Sequence, residues 1–125
     1  MSAGGALQEA AASALLGQGQ LTGVYDGPPA RAIFPYVVLD GGTEADWSHK
    51  NGGGREVLLA VTLWDEQPAR LHAQLDGIET AVASIAAVEG WQLVSIIFLR
   101  RRIVRDVAGP WAAAMDFRAR LLRAA

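Results

Sequence analysis

The chain has 125 residues, with 11 Lys and Arg against 13 Asp and Glu, a net charge of -2 and a pI near 5.6. That balance excludes the basic footprint of a dedicated nucleic-acid binder and gives acidic substrates no general attraction. Zero cysteines exclude a disulfide framework and thiolate metal ligands. One domain spanning 1–125 is expected, long enough to bury a core without such staples.

The first residues, Met1 to Ala6, lack the basic region and continuous apolar run of a signal peptide, and no segment approaches the about 18 apolar residues of a membrane span. The expectation is a soluble protein of the cytoplasm, or a component of a particle assembled there, with no membrane partner. Leu7 to Leu16 is rich in strong helix formers, with Leu7, Ala11, Ala14 and Leu15 on one side, and predicts a short helix ending at Gly17. Val24-Tyr25 predicts at most a short edge strand, broken by Asp26-Gly27-Pro28-Pro29, since two successive prolines admit neither helix nor central strand.

Phe34 precedes Pro35 and is pushed out of the helical region, so Ile33 to Asp40 is extended, with Tyr36 to Leu39 carrying a strand onward to about Trp47. Ser48 to Gly54 ends in three consecutive glycines and predicts a mobile hairpin tip. The next strand, Arg55 to Glu66, places Val57, Leu59, Val61 and Leu63 on one pleat face and Leu58, Ala60, Thr62 and Trp64 on the other.

After Pro68, which suits a first helical turn, the period changes. Leu71, Leu75, Ile78, Val82 and Ile85 trace a helical stripe whose burial contributes on the order of 8 to 15 kcal/mol at roughly 1.5 to 3 kcal/mol each. Glu89-Gly90 ends the pattern. Trp91 to Asp106 predicts a long strand, apolar on both sides over Leu93 to Leu99 and therefore expected to be covered on both faces. Val107 to Pro110 makes a turn, and from Trp111 to Leu121 apolar residues alternate with Asp116, Arg118 and Arg120, a strand with one buried and one wet face. The fold class expected is α+β: an antiparallel sheet of about four strands with two helices packed on one face, in the order α-β-β-α-β-β. Two short helices cannot cover this much apolar strand surface, and the surplus predicts association.

No reactive constellation emerges, so catalytic, cofactor and metal sites are all expected to be absent. His72 reads as a surface histidine. His49 lies beside Asp46 and Lys50, but a metal site needs several converging ligands. The glycines precede a strand with no Lys-Ser/Thr after them, which is the wrong context for a phosphate loop. Ser48 and His49 are adjacent and cannot face each other as nucleophile and base, and no nucleophile elbow surrounds them. On a strand Arg100 and Arg102 share one face while Arg101 and Arg105 share the other, which splits the basic cluster; a solvated strand end with carboxylate partners is favoured over nucleic-acid contact given the acidic balance, and an intersubunit salt bridge is the third reading. Among the four tryptophans, Trp47 beside the tip and Trp64 on the non-core face are the better interface anchors.

Taken in order, the N-terminal Leu-Gln-x-Ala helix, Val24 to Pro29, Phe34-Pro35-Tyr36-Val37-Val38-Leu39, Asp46-Trp47-Ser48 with its glycine loop, Val61-Thr62-Leu63-Trp64, Trp91-Gln92-Leu93-Val94 and a closing Phe117-Arg118 strand resemble the small tail-completion or tail-terminator proteins of long-tailed bacteriophages, with relatives in prophages and gene-transfer-agent clusters. The resemblance covers nearly the whole chain. It implies a structural, non-enzymatic virion tail protein, assembled in the host cytoplasm, that forms a ring, commonly a hexamer. Such a ring caps the tail tube, terminates its polymerisation and offers the docking surface for the head.

The partners it implies are copies of the chain itself, the tail tube protein and a head-completion or neck protein, with DNA passing through the ring without specific binding. Trp47, Ser48, His49, Lys50, Trp64, Arg100 and Arg102 are the interface candidates. The rival readings are a head-completion or stopper protein of the neck and a non-viral dimeric α+β ligand-binding domain.

Overall fold

A computed structural model describes residues 1–105, 107 and 109–124. The elements run α1 (Ala3–Leu15), β1 (Gly23–Tyr25), β2 (Tyr36–Asp46), β3 (Gly54–Asp65), α2 (Pro68–Ala83), β4 (Trp91–Arg105) and β5 (Trp111–Arg123). They build an α+β domain whose five strands lie in the order β1-β2-β3-β5-β4. Asp106, the expected last residue of the strand from Trp91, and Ala108 of the expected turn lie outside the described residues.

The sheet is mixed and five-stranded, not antiparallel with about four strands. Gly23, Val24 and Tyr25 pair in parallel with Tyr36, Val37 and Val38, while the β2–β3, β3–β5 and β4–β5 ladders are antiparallel. A three-residue strand is too short to show a hydrophobic period, and a parallel neighbour needs a long connection. Here the proline-rich loop supplies it. Thr22 fastens the loop's two ends: its N–H donates to the Pro35 carbonyl at 2.8 Å, and its hydroxyl donates to the carbonyls of Pro35 and Ile33.

Helix α1 starts four residues before Leu7 because Ser2 caps it, its Oγ accepting from the Gly5 N–H at 3.0 Å. Gln8 Oε1 accepts from the Gly41 N–H and Glu44 Oε1 accepts from the Gly4 N–H, fastening α1 to β2 where the register shifts between Asp40 and Thr43. Helix α2 begins with Pro68 in its first turn and buries Leu71, Leu75, Ile78 and Val82. It stops at Ala83, so Ile85 lies beyond it and is only half-buried.

The odd-numbered faces of β3 and β5 coincide, because Val57, Leu59, Val61 and Leu63 pair with Ala119, Phe117, Met115 and Ala113. These residues, with Val37 and Leu39 of β2, form one buried cluster with Leu7 and Leu15 of α1 and the four apolar residues of α2. The even-numbered face stays open. Among the described residues strand β4 has only β5 beside it, and Val94, Ile97 and Leu99 remain exposed. The expectation that this strand is covered on both faces therefore fails within one chain.

Candidate functional site

Two surfaces collect the residues singled out from sequence. The first is the β2–β3 hairpin tip. Its backbone stays paired beyond the strands: the Trp47 N–H donates to the Gly54 carbonyl at 2.9 Å, and His49 and Gly52 exchange hydrogen bonds around Lys50 and Asn51. The tip is thus a closed hairpin, not an open glycine loop. Glycine is required at position 54 because a Cβ there would stand 2.2 Å from the Trp47 carbonyl oxygen.

Trp47 is half-buried, with the Arg120 guanidinium 5.5 Å from its ring centroid and the His49 ring edge-on at 4.4 Å. Ser48, His49 and Lys50 are exposed. The Ser48 hydroxyl donates to Asp46 and has no contact with the imidazole that would make a nucleophile and base. That bond, with the Ser48 N–H and the charge of Arg55, outweighs slight desolvation and holds the Asp46 carboxyl below the usual carboxylate range. Among the described residues no three His, Cys, Asp or Glu side chains converge as a metal site would need.

The second surface is the open face of the sheet. Large apolar side chains gather on it: Leu58 at 41% exposure, Ile97 at 39%, Leu99 at 44% and Val104 at 49%. Leu58 and Ile97 flank Arg118 from either side in the ladder, and Leu99 lines a hollow of about 400 Å³ with Leu58, Arg100 and Asp116. The register shifts after Leu93 and after Phe98 insert Val94 and Leu99 as extra residues, an arrangement that bends an edge strand.

Arg100 and Arg102 both lie on this face, opposite Asp116 and Ala114, whereas Arg101 reaches the helix side and pairs with Asp76 of α2 at 3.2 Å. Arg100 Nε donates to Asp116 at 2.8 Å with its side chain 80% exposed. Arg102 is exposed and makes no ion pair among the described residues. Trp64 lies on the same face at the opposite end of β3 from the tip, in a groove of about 630 Å³ with Tyr36, Val38, Thr62, Pro28 and Pro29. About ten residues separate it from the Trp47 end, roughly 33 Å of strand. The two tryptophans therefore lie at opposite ends of the sheet.

The family model described as Tail completion protein gp17 matches residues 5–122. The chain belongs to that family. It is also similar to a chain in the virion of a native gene transfer agent (GTA) particle, at 27% identity and a TM-score of 0.82, with 94% of this chain and 96% of that one covered. No curated protein gives a significant match. As a tail-completion protein it is a structural component of the virion tail.

Two residues of this tail-completion protein escape a reading of its sequence. Arg118 sits in the middle of the open face with its Nε sealed from solvent and without an acceptor among the described residues, although its neighbours are satisfied, Arg120 by Glu56 at 2.9 Å and Asp116 by Arg100. Alternation marks Arg118 as outward-facing, but nothing in the sequence reveals that its Nε is withdrawn from water while no carboxylate among the described residues meets it. Asp65 closes β3, is fully buried, and accepts from Arg70 Nε at 2.7 Å, Arg70 Nη2 at 2.6 Å and the Gln67 N–H at 3.1 Å. Burial pushes its carboxyl up, but those three donors outweigh it and hold the group below the usual carboxylate range. Its signal, an Asp five residues before an Arg across a helix start, is too common to stand out.

Proposed function

We propose that this protein caps the tail tube: copies close into a ring, commonly of six in the family it resembles, stop tube polymerisation and present the surface on which the head docks. Buried residues of both helices share one cluster with the odd-numbered residues of β3 and β5. What carries the proposal is the gathering of the exposed large side chains of the sheet on the even-numbered face, since apolar patches of this kind mark protein contacts. The hairpin tip, with Trp47 as anchor and Ser48, His49 and Lys50 outward, is the contact to the tube. DNA passes through without being gripped, in keeping with the net charge of -2.

The test replaces Ser48–Gly53 with a two-residue Asn-Gly turn, which preserves the pairing of Trp47 with Gly54. The fold is expected to survive, by thermal unfolding, and electron microscopy should show overlong or headless tails. Normal tails remove the tip from its role. Purified tail tubes and portal-bearing capsids, offered separately to the wild-type protein, distinguish a tube cap from a neck protein, and binding to capsids alone overturns the capping role.

A further inference from the structure

We infer that the open sheet face of one copy seats on the helical layer of the next, with Arg118 and Arg102 meeting the carboxylates of Glu9 and Glu89; this deepens the ring reading above and rests on it. Three observations lead there. The first is Arg118. A guanidinium N–H withdrawn from water without an acceptor works against folding, and native chains keep few of them. Its surroundings, Leu58 on one side and Ile97 on the other, are half-wet aliphatics that a partner would cover. The site asks for a carboxylate carried among apolar side chains.

The second observation is that this chain bears such a surface. A groove of about 520 Å³ lies between α1 and the segment joining α2 to β4, lined by Glu9, Ala10, Ala14, Ile85 and Glu89 among others. Glu9 and Glu89 are exposed and make no ion pair among the described residues. Apolar walls and two unmatched carboxylates complement apolar walls and two unmatched guanidinium groups.

The third is placement. The groove belongs to the helical layer and the arginines to the opposite side of the sheet, so each copy offers both halves of the contact in different places. A contact of this head-to-tail kind propagates, and it closes into a ring when the rotation allows. Two open faces meeting each other would instead bring Arg102 and Arg118 of both copies together, with Asp40 on β2 as the remaining open-face carboxylate that makes no ion pair among the described residues. Like charges across an interface oppose that pairing.

Size-exclusion chromatography with light scattering on the full chain tests the contact. The wild type is expected to assemble. Arg102→Glu with Arg118→Glu, and separately Glu9→Arg with Glu89→Arg, should each weaken assembly at least about tenfold, and the four changes together should recover most of it. Arg118→Met adds a second readout: in samples dilute enough to be dissociated, its unfolding midpoint should equal or exceed that of the wild type while assembly weakens. A midpoint lowered by Arg118→Met assigns the arginine to the fold and overturns its role. So does a strictly monomeric wild type, an undisturbed assembly in the Glu9 and Glu89 variant, or disruption by Asp40→Arg in its place. Tube binding is scored separately. Reversals that leave assembly intact in a protein that still binds tubes defeat this contact and spare the capping role.

Discussion

Asp65 terminates β3 and at the same time holds the start of α2, through the Gln67 N–H and the bidentate grip of Arg70. Arg70 keeps partial access to water, so the pair escapes the full penalty of a buried charge. Asp65→Asn is expected to cost about 1.5 to 3 kcal/mol in denaturant unfolding at neutral pH, the range for hydrogen bonds to charged groups. The pH dependence follows from the depressed carboxyl. Its contribution is present above the unfolded value of about 3.9 and is lost as pH falls through the lower folded value. The gap between wild type and Asp65→Asn should therefore narrow as unfolding is measured below about pH 4, and a gap constant to pH 2 would disprove the role.

Gly54 is the other position where one atom decides. Adding a methyl group 2.2 Å from the Trp47 carbonyl oxygen forces the hairpin neck apart. Gly54→Ala is expected to cost about 1 to 3 kcal/mol, whereas Gly53→Ala, whose added Cβ meets nothing, should change the unfolding midpoint little. Three successive glycines read from sequence as general looseness. The close approach that explains one of them becomes visible only when the two strands are laid side by side.

At the scale of elements, whatever has a long period is legible and whatever depends on a neighbour is not. The α2 stripe announces itself in Leu71, Leu75, Ile78 and Val82, all of which are buried. The alternation of β3 and β5 likewise identifies the buried face before any register is known. Ile85 continues the stripe in sequence but not in structure, because the helix ends at Ala83. Leu75→Ala should therefore cost about 2 to 5 kcal/mol and Ile85→Ala about 1 kcal/mol, measured by the same unfolding curves. Equal losses at the two positions would mean that the helix runs on.

Strand β1 has too few residues to carry a pattern, and its parallel pairing arises from Thr22 fastening the proline loop. The position of β4 at the edge is equally hidden. Its run of apolar residues on both sides looks like a central strand, and only the order β1-β2-β3-β5-β4 shows that one of those sides has no cover of its own.

For the whole molecule, the surplus apolar surface anticipated from Leu58, Ala60, Thr62, Trp64 and the β4 strand is present. The site candidates nonetheless divide between the tip and the open face, because β3 separates Trp47 from Trp64 along its length. A sequence lists residues without saying which end of a strand faces which partner, so Arg100 and Arg102 could be paired by alternation while the tip and Trp64 could not be set apart. The apolar and the charged parts of the open face should also respond differently to solution conditions. Burial of aliphatic surface is insensitive to moderate salt, whereas exposed charge pairs are screened over a Debye length of about 8 Å at physiological ionic strength.

Replacing Leu58 and Ile97 together by Thr keeps strand-compatible, β-branched side chains on a face that is already wet, so the unfolding midpoint of the dissociated chain should stay within about 3 °C of the wild type. Assembly followed by light scattering should weaken for that variant at every salt concentration. The arginine-to-glutamate variants should differ most from wild type at low salt and approach it as salt rises. If the Thr variant assembles like wild type, the aliphatic patch contributes nothing to association, and the surplus surface must serve some contact other than the one between copies.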